Sequence, residues 1–147
     1  MTCMSVRSFV DTNVLVYLFD ADAPEKQARA RELLAARGPA GELVISTQVL
    51  QEFFVTVTRK LEHPLSTESA EQAVRRLAAY PVVTITVGLV LAAIAVLRAH
   101  QISFWDALIV AAAREAGCSE LLSEDLGDGA NLAGLRVSNP FRENPAS

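Results

Sequence analysis

The sequence predicts an α/β fold in which residues 1–147 form a single domain, with a central parallel sheet of four to five strands between two layers of helices. Three observations carry that expectation. Short β-branched and aromatic runs recur along the chain, longer segments with helix-capping residues separate them, and no internal repeat or low-complexity linker interrupts the alternation. Strands joined through helices run parallel and are covered on both faces. With 51% hydrophobic and 20% charged residues, the chain has the balance of a protein that folds on its own.

The first strand is expected at Val6–Val10. Asp11-Thr12-Asn13 then supplies three residues suited to a helix N-cap before the apolar run Val14–Phe19. Asp22-Ala23-Pro24 restarts a helix, with proline in its first turn, that continues through Arg37 and closes at Gly38-Pro39. ELVIST, residues 42–47, reads as the second strand. Thr47 is expected to cap a helix running to about Leu61 and stopped by His63-Pro64. Residues 66–80 form another amphipathic helix, for which Ser66 and Ser69 compete as caps. A strand over Val82–Val87 and an Ala-rich helix over Gly88–His100 follow. Ser103 caps FWDALIVAAAREAG, which ends at Gly117. Glu120–Ser123 is the fourth strand, SEDLGDGANLAG a polar, Gly-rich loop, and Leu135–Phe141 a short final strand.

Composition also narrows the function. A net charge of −4 argues against a broad phosphate-binding surface. Cys3 and Cys118 lack the spacing of a zinc site or a disulfide framework, which fits reduced thiols in the cytoplasm. Arg7 and Asp11 interrupt the N-terminal region where a signal peptide needs an apolar stretch. The most apolar segment, Val82–Leu97, is shorter than the roughly 20 residues of a membrane span, so no membrane association is expected.

Three carboxylates stand among apolar neighbours: Asp11 in FVDTNVL, Glu52 in VLQEFF and Asp106 in FWDALIV. Each has a plain structural explanation. Asp11 suits an N-cap, Asp106 follows Ser103 at the spacing of a capping box, and Glu52 falls on the polar side of its helix beside Thr56 and Arg59. Together with SEDLGDG they read differently. Strand ends at Asp11 and Asp125, and helix N-terminal turns at Glu52 and Asp106, belong to one edge of a parallel sheet, where ligands bind. Carboxylates gathered without counter-charge repel and raise one another's pKa, so a hard divalent cation such as Mg²⁺ is their natural partner. Within SEDLGDG, side-chain alternation puts Ser123 and Asp125 on one face and Glu124 on the other, with Asp128 as the competing ligand in a glycine-flanked turn.

In this order, FVDTNVLVY, STQVLQEFF, SFWDALIVAAA, LLSEDL and VSNPF resemble the PIN-domain ribonucleases, and specifically the VapC-like toxins of toxin–antitoxin pairs. The likeness extends over nearly the whole chain, with Ser123 where many members have threonine. It implies a three-layer PIN-like fold and a Mg²⁺-dependent endoribonuclease, with Mn²⁺ as a substitute, whose metal-binding and catalytic residues are Asp11, Glu52, Asp106 and Asp125. Asn13 and Ser123 become supporting residues, with Asp128 and Arg59 as further candidates, Arg59 for an RNA phosphate. The implied partners are an RNA substrate, a cognate antitoxin and a second copy in a homodimer. The apolar runs Val14–Phe19 and Phe53–Val57 are the expected contact surfaces.

Two other classes compete. A phosphohydrolase with an aspartate nucleophile requires a second aspartate where Asn13 stands and a late lysine, whereas the last lysine is Lys60. A catalytically inactive PIN-like protein-binding domain is the non-enzymatic alternative, and intact carboxylates in all four motifs count against it.

Overall fold

A computed structural model describes residues 6–142, so Cys3 lies outside the described residues. Its strands are β1 (Ser8–Val10), β2 (Leu43–Ser46), β3 (Val82–Val83), β4 (Glu120–Leu122), β5 (Asn131–Leu132) and β6 (Leu135–Ser138). They form one sheet in the order β3-β2-β1-β4-β6-β5. Five strands run parallel, and only β5 is antiparallel to its neighbour β6. The helices are α1 (Thr12–Val16), extended by a 3₁₀ turn at Tyr17–Phe19, α2 (Pro24–Arg37), α3 (Thr47–Arg59), α4 (Thr67–Leu77), α5 (Val87–His100) and α6 (Phe104–Glu115). The α/β class and its parallel sheet are therefore as expected.

The chain steps outward from β1 to β2 to β3, then returns through α5 and α6 to β4 on the far side of β1. Because parallel crossovers are right-handed, that reversal places the returning helices on the opposite face of the sheet. Helix α6 is buried without interruption from Ala107 to Ala113, as expected for a helix apolar on every side and central to the core. Among the described residues, no single helix is long and apolar enough to cross a membrane.

Several boundaries differ from the sequence reading for identifiable reasons. Ser46, not Thr47, caps α3: its extended backbone lets Oγ accept from Val49 N–H at 3.3 Å. Thr47 Oγ1 instead accepts from Ile85 N–H at 3.1 Å, which takes Ile85 out of the sheet and leaves only Val82–Val83 of the expected strand. Thr86 then caps α5 through Leu89 N–H, so that helix begins at Val87 rather than Gly88. Ser66 prevails over Ser69 at α4, accepting from Ser69 N–H at 3.1 Å. The loop before β6 contains the hairpin strand β5, whose turn holds Ala133 and Gly134 at positive φ.

The apolar runs proposed as contact surfaces are largely core. Val14, Leu15, Val16, Phe53 and Val57 are buried, whereas Val55 is exposed.

Candidate active site

Asp11 follows β1 at its carboxyl end. Its N–H donates to Leu122 O at 2.9 Å, prolonging the β1–β4 ladder by one residue. The carboxylate therefore leaves the sheet where the strand order reverses, between neighbours reached by separate crossovers. Oδ1 accepts from Thr12 N–H at 2.8 Å, and Oδ2 accepts from Ser123 Oγ–H at 2.8 Å. Asp11 is thus a helix cap and more: an ionised carboxylate offers about four acceptor positions, and these bonds occupy two.

The residue is only 8% exposed. Burial pushes its carboxyl up to about 6 from an ordinary 3.8; the Ser123 and Thr12 hydrogen bonds oppose the rise, and repulsion from Asp106 and Glu52 adds to it. Asp11 therefore senses the charge of two other acids singled out in the sequence.

These acids line a cleft of about 580 Å³ that also takes in Asp125. The polar side of α3 forms one wall, with Gln51, Glu52, Val55 and Thr56, and the α1 turn forms another, with Thr12, Asn13, Val16, Tyr17 and Asp20. Glu52 Oε1 accepts from Thr12 Oγ1–H at 3.0 Å. Asp125 Oδ2 accepts from Asn13 Nδ2–H at 2.9 Å, and Asn13 Oδ1 accepts from Glu124 N–H at 3.3 Å. Ser123 Oγ also accepts from Asp125 N–H at 3.2 Å. All three residues of Asp11-Thr12-Asn13 are used, one as an acid and two as its neighbours' supports.

At α6, Ser103 Oγ accepts from Asp106 N–H at 3.1 Å. This is one arm of the capping box. The Asp106 carboxylate makes no hydrogen bond among the described residues, and it faces the cleft.

Two further candidates stand elsewhere. Asp128 accepts from Asn139 N–H at 2.9 Å and pairs with Arg142 at 2.6 Å, which ties down the turn between β4 and β6 away from the cleft lining. Arg59 is the last residue of α3 and does not line the cleft. Lys60, at the helix C-cap, is the cation that does. Among the lining residues it stands alone as a positive charge.

Other contributors escaped the sequence reading. Glu124 pairs with Lys26 from α2 and accepts from Tyr17 Oη–H at 2.7 Å. Burial works to raise its carboxyl, but Lys26 and Tyr17 outweigh it and hold Glu124 below the usual carboxylate range. Gln48, nearly fully buried, donates through Nε2 to Trp105 O at 3.1 Å and leaves its own Oε1 unpartnered among the described residues. Sequence marked only the alternation that turns Glu124 away from Asp125. Its partner Lys26 lies 98 residues distant.

The donor set tests whether a divalent cation suits the cleft. It is entirely oxygen, and a cation there would offset the burial, and the lesser repulsion, that raise Asp11. Among the described residues, however, no three acid side chains converge closely enough to enclose an ion. The arrangement fits an ion held by one or two carboxylates and completed by water, which is how Mg²⁺ is usually bound.

No curated protein matches the sequence. Among solved structures, the chain is similar to VapC20 of Mycobacterium tuberculosis, a sarcin-ricin loop cleaving toxin, at 27% identity and a TM-score of 0.64, over 80% of this chain and 89% of that one. A toxin–antitoxin complex from Klebsiella pneumoniae matches at 20% identity and a TM-score of 0.66, over 90% and 97% of the two chains. The DNA-bound VapBC of Salmonella typhimurium matches at 15% identity and 0.67, over 92% and 99%. These last two share the fold. A PIN-domain family profile matches residues 8–127, and the chain belongs to the PIN domain family with a VapC-like fold.

Proposed function

We propose that the protein is a toxin nuclease: a Mg²⁺- or Mn²⁺-dependent endoribonuclease that hydrolyses RNA phosphodiester bonds and is restrained by a cognate antitoxin. The observation that carries the reading is the meeting of Asp11, Glu52, Asp106 and Asp125, from four separate elements, in a cleft with a single lysine. Its similarity to VapC20, which cleaves the sarcin-ricin loop, supports RNA as the substrate. The antitoxin complexes among the structural neighbours support a protein inhibitor. A homodimer belongs to the same reading.

Asp11, Glu52, Asp106 and Asp125 would hold the cation. When bound, the ion neutralises phosphate charge and lowers the pKa of a coordinated water. The chain's own groups set the geometry. Ser123 and the Thr12 N–H fix both oxygens of Asp11, Asn13 orients Asp125, and Thr12 orients Glu52. Lys60, at the C-cap of α3, is the cation of the lining that would meet a phosphate.

The test is cleavage of a single-stranded RNA by purified protein in Mg²⁺, with EDTA and Asp106→Asn as parallel arms. Cleavage that both arms abolish supports the reading. Equal cleavage by Asp106→Asn overturns the site, and absence of cleavage by the free wild-type chain favours the inactive protein-binding alternative.

A further inference from the structure

Trp105 is the chain's one tryptophan, and it stands 61% exposed in the first turn of α6. Tryptophan is highly buried on average, so an indole left in solvent calls for a reason. The ring is not loose. Phe104 packs edge-on against it, with centroids 5.2 Å apart at 78°. Its carbonyl oxygen accepts from Gln48 Nε2–H at 3.1 Å, and the same amide nitrogen reaches Glu52 Oε2 at 3.5 Å. Hydrogen bonds thus join the indole's backbone to the α3 wall of the cleft. Trp105 lies outside the cleft lining, one residue before Asp106 in the first turn of α6.

Charge points the same way. The chain carries −4 overall, and Lys60 is the single cation lining the cleft. Phosphate contacts alone then give weak binding. Stacking a base on an aromatic face needs no positive charge and requires the base to be unpaired. Resting on the ribonuclease reading, we propose that Trp105 is a specificity-determining residue: it stacks an unpaired base of single-stranded RNA beside the scissile phosphate and so favours loops over duplexes.

Because the chain has one tryptophan, its emission reports on this residue alone. The probe is a short, labelled, mixed-sequence single-stranded RNA in a Ca²⁺ buffer in which it stays intact on a gel. Titration is expected to quench Trp105 emission with the same Kd that the label's anisotropy gives. Trp105→Ala is expected to raise that Kd at least about fivefold, the low end of one base–aromatic stack. Trp105→Phe recovers most of the affinity, and neither variant changes Tm appreciably. Cleavage in Mg²⁺ is followed separately. If wild type and Trp105→Ala bind and cleave alike, stacking is overturned and the nuclease reading stands. A buried, unquenched emission in a dimeric free protein overturns it too, since a second copy then covers the indole. If wild type neither binds nor cleaves, both readings fall.

Discussion

The two edges of the sheet treat carboxylates in opposite ways. At the amino edge Glu120 opens β4, and Ser8 Oγ–H donates to it at 2.6 Å while Arg37 and Arg136 pair with it at 3.3 and 3.2 Å. Burial works to raise its carboxyl, but those donors outweigh burial and hold it below the usual carboxylate range. Arg37 also reaches Glu42 at 3.3 Å, so one guanidinium joins the chain before β2 to the start of β4. At the carboxyl edge Asp11 has a serine and a backbone N–H, two acids within electrostatic reach and no cationic partner among the described residues. Burial therefore wins there. The amino edge supplies its carboxylate with counter-charges from the chain itself, whereas at the carboxyl edge no cation among the described residues offsets the burial of Asp11.

The largest effect is expected at Asp106. Asp106→Asn keeps the N–H that Ser103 accepts and removes one repelling charge. RNA cleavage in Mg²⁺ is expected to fall by more than about 100-fold, beyond the cost of losing a supporting residue. Thermal unfolding in EDTA should show an equal or higher Tm. A clear drop in Tm would assign Asp106 to capping instead.

Acidity sharpens the contrast next. Asp11 is raised, so the folded state binds its proton more tightly than the unfolded state, and stability falls as pH rises from about 4 through 6. Two pKa units correspond to about 3 kcal/mol. Glu120 is lowered, so its contribution is present above the ordinary carboxylate range and is lost as pH falls through its depressed pKa. Unfolding of the metal-free protein in urea should therefore show greatest stability in mild acid. Mg²⁺ should raise stability at pH 7 much more than at pH 5. Stability that climbs steadily to pH 7 without metal would contradict the assignment of strain to the carboxyl edge.

Arg37→Met tests the completed edge. It takes one of two cations from Glu120, whose side chain is 12% exposed, and should cost about 2 kcal/mol, less than stripping a buried charge entirely. Cleavage at a temperature where the variant is folded should be unchanged. The smallest effect is expected at Lys26→Met, which frees Glu124 beside Asp125. Turnover should drop about tenfold, as for loss of a supporting residue. Stability should move by less than about 1 kcal/mol, because the pair is partly exposed. Steady-state kinetics on folded protein separates the two outcomes.

The order of elements was legible because buried strands and capped helices leave strong local patterns, as at Phe9-Val10 before Asp11 and at Ser103 before α6. Local rivalry was harder to read. Ser46 and Thr47 are adjacent hydroxyls, and only the approach of Ile85 decides which one caps α3. At the site, Asp11, Glu52 and Asp106 stand out as charges among apolar neighbours. The sequence reading chose Arg59 for a phosphate, whereas the cation that lines the cleft is its neighbour Lys60, at the end of α3. The Glu124–Lys26 pair leaves no local trace, because its halves meet only when α2 packs against the end of β4.

The position of β1 also bears on the protein's birth at the ribosome. β1 is made early, but its neighbour β4, which brings Ser123 and Asp125, is paired through residues 120–122 and emerges more than a hundred residues later. Domains fold as units during synthesis. A nascent chain that stops short of β4 lacks Ser123 and Asp125, so Asp11 has neither the hydroxyl that holds Oδ2 nor the carbonyl that takes its N–H until that strand is released and docks.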